Sequence, residues 1–262
     1  MRTRLELDLD FFVKQRDLIQ READEIASTR KVSSTRKVSS TRRDRSETEE
    51  RDESLSPLIL PVTKYLSGQD TRRLLEADQG PLGENRAQEL EDKTDPGQDP
   101  GGWHFIGKLQ RNKISLVAPR IELLHSLDSL KLAQTLNHWV EDNLGRSLSV
   151  LVQINIAGEH QKSGLDPLTA LNLIPEWISQ FDSLRFEGLM TMAPQLPAEE
   201  CRPIFRALRQ LRDEISDRLE EDSANSFKTL SMGMSNDWRV AVAEGATILR
   251  LGRTLLTDEK GG

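Results

Sequence analysis

The sequence predicts an α/β protein folded as a single-domain (β/α)8 TIM barrel with an extra N-terminal helix. From Leu58 onward, short apolar runs of β-type composition alternate with stretches of helical periodicity. This alternation implies parallel strands joined by right-handed helical crossovers. Eight such units fit into about 200 residues, the lower end of the size range of these barrels. A doubly wound open sheet is the alternative, because the second strand is short.

The predicted elements follow one another in a regular order, with polar or glycine-containing segments between them. The strands are Leu58–Thr63, Pro81–Gly83, Trp103–Ile106, Ile121–His125, Ser147–Ile154, Arg185–Met190, Lys228–Met232 and Thr247–Leu251. The helices are Gln69–Ala77, Arg86–Lys93, Leu109–Ser115, Leu127–Asn143, Pro167–Phe181, Ala198–Leu219 and Asp237–Glu244. These elements assign residues 57–256 to the barrel and residues 257–262 to a tail.

The chain before the first strand has a different composition. Apolar residues recur at helical spacing from Leu5 to Ala27, so residues 1–28 are predicted to form an amphipathic helix, which could cover the bottom of the barrel or precede strand one. Residues 29–56 contain TRKVSS twice in tandem, then an acidic block, with almost no apolar side chains, which predicts disorder. This insert is either a phosphorylatable or partner-binding tether or a repeat expansion that a loop tolerates.

Charge and cysteine content exclude several classes of function. The 262 residues carry a formal net charge of −7 at pH 7, which argues against general binding to nucleic acid or to anionic membranes. No apolar run approaches the roughly 20 residues of a membrane-spanning helix. Cys201 is the single cysteine, so an internal disulfide is impossible and a reducing, cytoplasmic location is expected.

The function of such a barrel lies at the carboxyl ends of its strands. Polar, glycine-rich segments follow several strands here, so a small polar ligand is expected at that rim. The loops after strands seven and eight contain Gly233-Met234-Ser235-Asn236 and Gly252-Arg253, a frequent position for phosphate. Ser235 lies where a helix begins, so its hydroxyl and the nearby N–H groups could face a phosphate oxygen. An ordinary helix start capped by Ser235 or Asn236 is the alternative.

Lys64 directly follows the first apolar strand. Burial disfavours the charged form of an amine, and a neutral amine is a nucleophile toward aldehydes. An amine on strand one and a phosphate site across the rim together suggest pyridoxal 5′-phosphate (PLP), held as a Schiff base. The alternative is a lysine that extends from the strand end into solvent.

Seven segments resemble, in order and spacing, the pyridoxal phosphate homeostasis proteins, which are single-domain relatives of the alanine racemase barrel. They are VTKY, GENRAQEL, WHFIGKLQRNK, GEHQKSG, GLMTMAP, SMGMSND and RLGR, and they cover Leu58 to about Leu255. The resemblance implies these roles: Lys64 forms the Schiff base, Asn85 lies beside the pyridine ring, Ser235, Gly252 and the backbone at Arg253 hold the phosphate, Arg250 faces the ring nitrogen, and Met190 and Met232 pack near the cofactor.

The resemblance also implies a protein that binds, buffers and delivers PLP, with PLP-dependent apoenzymes as candidate recipients and no established reaction. Arginine stays charged at ordinary pH, so Arg250 would leave the ring nitrogen neutral and the cofactor a weak electron sink. A PLP-dependent racemase or related enzyme is the alternative. A two-base racemase needs a tyrosine from an additional, dimerising domain, whereas Tyr65 is predicted to point away from Lys64 on an extended strand. A monomer is expected, because the dimerising domain of the racemase is absent from this sequence.

Some features depart from the family or compete with this interpretation. Arg253 replaces a small hydroxyl residue, TLLTDEKGG lacks a Phe-Gly pair, and the TRKVSS repeat is not a family feature. Lys108 and Lys113 are competing amines, and Lys162 is expected to be solvated. The four histidines show no metal-ligand spacing, so no metal is expected; His104 is predicted to be hydrogen-bonded in the barrel and His138 to be exposed. A third hypothesis is a scaffold that retains no cofactor.

Overall fold

The computed structural model describes residues 5–35, 56–94, 102–159, 161 and 163–257. Its centre is one sheet of eight parallel strands in the order β1-β8-β7-β6-β5-β4-β3-β2. The strands are β1 Leu58–Pro61, β2 Leu82–Glu84, β3 Trp103–Phe105, β4 Leu123–Leu127, β5 Leu148–Gln153, β6 Leu184–Met190, β7 Thr229–Ser231 and β8 Ile248–Leu251. A parallel bridge between Val62 and Gly83 joins β1 to β2. The predicted barrel is confirmed, and the open-sheet alternative is wrong.

The helices form the outer layer of the barrel. They are α1 Leu9–Thr35, α2 Gly68–Glu76, α3 Ala87–Lys93, α4 Ile114–Val117, α5 Leu130–Asn143, α6 Pro167–Gln180, α7 Ala198–Ser216, α8 Glu221–Ser226, α9 Trp238–Ala243 and α10 Arg253–Leu256. The predicted helix Leu109–Ser115 is instead a 3-10 turn, Arg111–Lys113, followed by α4. Helix α8 was not predicted from the sequence, because it buries no residue and so has no apolar periodicity.

Local side-chain chemistry explains where several helices begin. The hydroxyl of Ser67 accepts a hydrogen bond from the Asp70 N–H (3.1 Å), and the carboxylate of Asp166 accepts one from the Thr169 N–H (3.0 Å). These caps satisfy N–H groups that have no partner inside their helix. Further along, α5 buries one face, with Leu132, Leu136 and Val140 at helical spacing. The apolar periodicity of α5 therefore matches the face that the helix buries.

Helix α1 is longer than predicted and belongs to the outer layer. It packs against α9 and α10, so it takes the position of a helix that precedes strand one. It continues to Thr35 rather than ending near Ala27, because no glycine or proline stops it and the Ser28 hydroxyl bonds within the helix to the Asp24 carbonyl. The first TRKVSS unit is thus helical. The rest of the insert, residues 36–55, lies outside the described residues, so its disorder stays a prediction.

The core has two parts. A small inner cluster fills the barrel with Leu60, Leu123, Leu151, Met190 and Ile248. A much larger cluster lies between the strands and the surrounding helices and includes the buried face of α1. This double layer is what a parallel barrel requires, because its strands are covered on both faces. In the described part of the chain, no helix combines the length and apolar character needed to cross a membrane.

Candidate functional site

A cavity of about 590 Å³ opens at the carboxyl ends of the strands. Six of the seven residues assigned from the sequence line it: Lys64, Asn85, Ser235, Arg250, Gly252 and Arg253. The seventh, Met232, is fully buried in the larger core cluster and does not line the cavity. We therefore leave Met232 out of the site, because a side chain directed into the core cannot contact a ligand at the rim.

Lys64 lies on a turn rather than on the strand. The chain turns after Thr63, whose carbonyl accepts the Leu66 N–H at 2.9 Å. Lys64 is half-buried, so its amine loses only part of its solvation, and it lines the cavity. The prediction that Tyr65 points away is wrong: the Lys64 amine lies 5.1 Å from the centroid of the Tyr65 ring, and both residues line the cavity. The extended strand assumed in that prediction has already ended.

Asn85 has an unused hydrogen-bonding group in the cavity. It lies on the β2 side of the junction between β1 and β2, and Lys64 lies on the β1 side. It follows β2 directly and lines the cavity. Its side-chain oxygen is buried and has no hydrogen-bond partner among the described residues. A buried polar atom without a partner is costly. The amide is therefore suited to a polar ligand in the cavity.

The loop after β7 presents backbone donors to the cavity. Gly233 has φ of 93°, and a β-carbon there would lie 2.6 Å from that of Ala241, so only glycine fits this turn. The Asp237 carboxylate accepts the Met234 N–H at 2.6 Å. Asp237 is the N-cap residue of α9 and no side chain caps that helix, so the alternative of a cap by Ser235 or Asn236 is wrong. The main-chain N–H groups of both make no hydrogen bond to other described residues and remain free for an anion.

Arg250 is fixed by protein groups on one side and borders the cavity on the other. Its Nη1 donates to the Ser231 hydroxyl at 2.6 Å, and its Nη2 donates to the Thr191 carbonyl at 2.7 Å. Burial lowers the pKa of Arg250 to about 10, opposed by nearby Asp237. The guanidinium therefore keeps its charge at neutral pH. Burial also raises the pKa of Asp237 above its usual range. The hydrogen bond from the Met234 N–H and the charge of Arg250 oppose this increase.

Two buried histidines continue the hydrogen bonds of Arg250 into the barrel. His125 Nδ1 lies 2.8 Å from the Ser231 hydroxyl, and His125 Nε2 lies 3.1 Å from His104 Nδ1. Burial lowers the pKa of His104 to about 4. Burial, then the neighbouring His104 and Arg250, hold the pKa of His125 well below its usual value. Both imidazoles are neutral at pH 7, and the prediction of a hydrogen-bonded His104 is confirmed.

The hydrogen bonds among Ser231, His125 and His104 can run in either direction. Arginine can only donate, so the Ser231 oxygen accepts from Arg250, but a hydroxyl oxygen has a second lone pair and a hydrogen as well. With one ring proton on each histidine, either Ser231 donates to His125 Nδ1 and His125 Nε2 donates to His104 Nδ1, or both bonds are reversed. Sequence reasoning missed Ser231 and His125, although a serine and a histidine within predicted apolar strands are a signal that such side chains have buried partners.

The cavity is positively charged in a negatively charged protein. Among the described residues, the charged side chains that line it are Lys64, Lys108, Asp237, Arg250 and Arg253, four cations against one carboxylate. Low-dielectric walls concentrate such a field, which favours an anionic ligand. Among the described residues, no group of three or more histidine, cysteine, aspartate or glutamate side chains could hold a metal ion.

The other residues singled out in the sequence lie apart from this arrangement or at its edge. Lys108 lines the cavity but its side chain is 69% exposed, and Lys113 is not among the lining residues. Met190 packs inside the barrel in the inner cluster. His138 is exposed, as predicted. His160 and Lys162 lie outside the described residues.

Comparison with known sequences identifies the family. The alanine racemase N-terminal domain matches residues 59–259. The pyridoxal phosphate homeostasis protein of Aquifex aeolicus is 39% identical over 186 residues, which are 68% of this chain and 76% of the relative. The protein of the same description from Escherichia coli K12 is 34% identical over 203 residues, 75% of this chain and 83% of the relative. The chain belongs to the pyridoxal phosphate homeostasis protein family.

Solved structures agree with this family and with the fold. PipY of Synechococcus elongatus, solved without PLP, has 34% identity and a TM-score of 0.70, covering 77% of this chain and 93% of PipY. PipY with PLP bound has 33% identity and a TM-score of 0.67, covering 77% and 92%. Alanine racemase of Clostridium difficile is 15% identical with a TM-score of 0.65 and covers 60% of that enzyme, which supports the barrel alone.

Proposed function

We propose that this protein binds PLP in the rim cavity, holds it as a Schiff base on Lys64, and serves PLP homeostasis without strong catalytic activity. One observation carries the proposal: the Lys64 amine and the free N–H groups of the β7 loop lie on the wall of one cationic cavity. The PLP-bound structure of PipY, at 33% identity over most of this chain, supports the choice of ligand.

The residues present fit PLP chemically. A phosphate suits the backbone N–H groups of Ser235 and Asn236, with Gly252 and Arg253 on the neighbouring loop. The unpartnered amide of Asn85 suits a polar ring substituent. Lys64 supplies a primary amine on the same wall. No other feature of the described residues combines an amine, an anion site and an unused amide in one place.

When bound, PLP supplies an aldehyde carbon that an amine can attack. Lys64 would supply the primary amine for a Schiff base with that carbon. Arg253 and the β7 loop would hold the anionic end in the same cavity, so that amine and aldehyde would meet within one complex.

Arg250 limits how strongly a cofactor in this site could stabilise negative charge on a substrate. Its guanidinium, fixed by Ser231 and Thr191, holds its proton at neutral pH and can only donate a hydrogen bond. A pyridine nitrogen held beside it would stay unprotonated, so negative charge on a substrate carbon would be weakly stabilised. Tyr65 shares the Lys64 turn and does not supply a second base from the other face. Both points favour cofactor binding over racemisation.

Absorbance and chemical trapping test the proposal. Purified protein mixed with PLP is expected to show a Schiff-base absorbance that borohydride removes, with peptide mapping placing the reduced adduct on Lys64. Lys64→Ala should abolish the adduct, and Lys108→Ala, a change at an exposed lysine of the same cavity, should retain it. An unchanged adduct in Lys64→Ala would overturn the assignment.

A separate measurement decides between storage and catalysis. α-Proton exchange on amino acids is expected to be far below 1 s⁻¹, whereas turnover on the order of 1 s⁻¹ or more would establish an enzyme. We further propose that the protein is a cytoplasmic monomer that passes PLP to apoenzymes. Sedimentation gives the oligomeric state, and transfer of PLP to an added apoenzyme, followed by recovery of that enzyme's activity, tests delivery.

A further inference from the structure

The barrel closes at the seam between β1 and β2. These two strands meet through the isolated Val62–Gly83 bridge rather than through a ladder of paired residues. The Thr63 N–H adds one hydrogen bond to the Gly83 carbonyl at 2.9 Å. Lys64 and Asn85 are the residues that follow directly on the two sides of this seam. Their separation therefore depends on whatever else holds the seam together.

A buried ion pair crosses the seam at this point. Lys93, the last residue of α3, lies with its Nζ 2.7 Å from Glu84 Oε2, and the two side chains are 2% and 0% exposed. Lys93 Nζ also donates to the Thr63 carbonyl at 3.0 Å. The Thr63 hydroxyl lies 3.4 Å from Glu84 Oε2. The ion pair therefore holds Thr63, the residue that precedes Lys64, by hydrogen bonds.

The other carboxylate oxygen of Glu84 holds the opposite side. Glu84 Oε1 accepts the N–H of Asn85 at 2.6 Å and that of Arg86 at 3.3 Å. Its main-chain carbonyl accepts the Ile106 N–H at 2.9 Å, so the residue is tied to β3 as well. An uninterrupted path of hydrogen bonds runs from the Thr63 carbonyl through Lys93 and Glu84 to the main-chain N–H of Asn85.

Stability alone does not explain this arrangement. Removing two charges from water costs about as much as their attraction returns, and apolar residues of similar size often serve a core equally well. The pair provides directional bonds to two main-chain groups, which apolar side chains cannot provide. We propose that Lys93 and Glu84 are positioning residues that set the Lys64 amine and the Asn85 amide at the spacing needed for Schiff-base formation. This inference rests on the proposed function of Lys64.

The test separates binding of the cofactor from attack by the amine. The double variant Glu84→Gln with Lys93→Met removes both charges of the buried pair, keeps an acceptor for the Asn85 N–H, and removes the bond to the Thr63 carbonyl. The one carboxylate that loses a partner is Glu89, 3.7 Å from Lys93 and 31% exposed, so solvent can hydrate it. Pyridoxine 5′-phosphate, which has no aldehyde, measures binding alone, and its Kd should change by less than about twofold. The rate of borohydride-trapped adduct formation from PLP should fall on the order of tenfold, because the amine is misplaced.

A matched variant controls for general destabilisation. Glu244 is another buried carboxylate, paired with Arg202 (3.2 Å) and Arg206 (2.9 Å), and it does not line the cavity. Glu244→Gln should lower the melting temperature and leave the trapping rate at low temperature unchanged. If the double variant does not fold, Lys93→Arg keeps the charges paired but changes the contact with Thr63, and the same two measurements apply.

The outcomes are distinguishable. If the wild-type protein forms no adduct on Lys64, the proposed function itself fails. If the wild-type adduct forms and the double variant traps PLP at the wild-type rate, the positioning role is wrong and the proposed function stands. Equal losses in pyridoxine 5′-phosphate binding and in trapping would also overturn the positioning role, since they indicate a disordered cavity.

Discussion

The buried pair His104 and His125 should make the stability of this protein sensitive to mild acid. The two ring centroids are 5.1 Å apart, and the side chains are 5% and 0% exposed. Burial lowers the pKa of His104 to about 4 in the folded protein, whereas a histidine in an unfolded chain titrates near 6.5. Between these values the unfolded state binds more protons than the folded state. Stability is therefore fully present above about pH 6.5 and is lost as the pH falls.

The size of the effect follows from the two pKa values. At pH 5 the unfolded His104 is almost entirely protonated and the folded one is mostly neutral. That difference removes about 2 kcal/mol from the free energy of unfolding relative to pH 7.5. His125, whose pKa burial also holds well below its usual value, adds to the loss in the same direction. Urea unfolding at several values between pH 7.5 and pH 5, followed by circular dichroism, measures the loss.

The decisive comparison uses a variant that cannot titrate. His104→Asn keeps a polar atom near the position of Nδ1, where His125 Nε2 needs a partner. Its stability at pH 7.5 will be lower, but its loss between pH 7.5 and pH 5 should be about 2 kcal/mol smaller than that of the wild type. The control is His138→Asn, at a side chain that is 79% exposed, where a much smaller change is expected. Parallel pH curves for His104→Asn and wild type would refute the reasoning.

Three further substitutions test the loops of the cavity. Gly233→Ala should lower the free energy of unfolding, measured by urea titration, by about 2 kcal/mol or more, because a β-carbon would collide with Ala241 at a positive φ. The control is Gly158→Ala, also at positive φ but in open space, which should lower it by about 1 kcal/mol. Asp237→Asn keeps an acceptor for the Met234 N–H and removes the carboxylate of the cavity, so the Kd for pyridoxine 5′-phosphate should fall a few-fold at low salt. Arg253→Ala should raise that Kd at low salt, with a difference that shrinks at 1 M salt; salt-independent affinities would contradict an electrostatic contact.

Much of the fold could be predicted from local sequence. All eight strands were located because short apolar runs separated by polar segments are a pattern of nearest neighbours along the chain. The short β2 was placed within one residue at each end. Boundaries failed where tertiary contacts or unusual length decide them, as for α1, which continues past Ala27 to Thr35. The polar helix α8 was missed because it has no buried face.

The candidate site was predicted in part. The seven motifs placed Lys64 and the loops after β7 and β8 at one rim, and the structure has them on one cavity wall. Met232 was misassigned because a strand end can direct a side chain to the core or to the rim, and sequence spacing does not say which. Tyr65 was misplaced because the turn that follows Thr63 is held by a hydrogen bond that no local pattern announces.

By itself the sequence determined the barrel, the position of the amine shortly after the first strand and the two glycine-containing loops, since each depends on residues close together in the chain. Only the tertiary structure decided the partners of the buried polar groups. Ser231 meets His125 across 106 positions, Arg250 meets the Thr191 carbonyl across 59, and Lys93 reaches back 30 to Thr63. A polar side chain in a predicted buried position requires a hydrogen-bonding partner. Which partner it finds is fixed by the closure of the barrel, because closure brings distant strands into hydrogen-bonding distance.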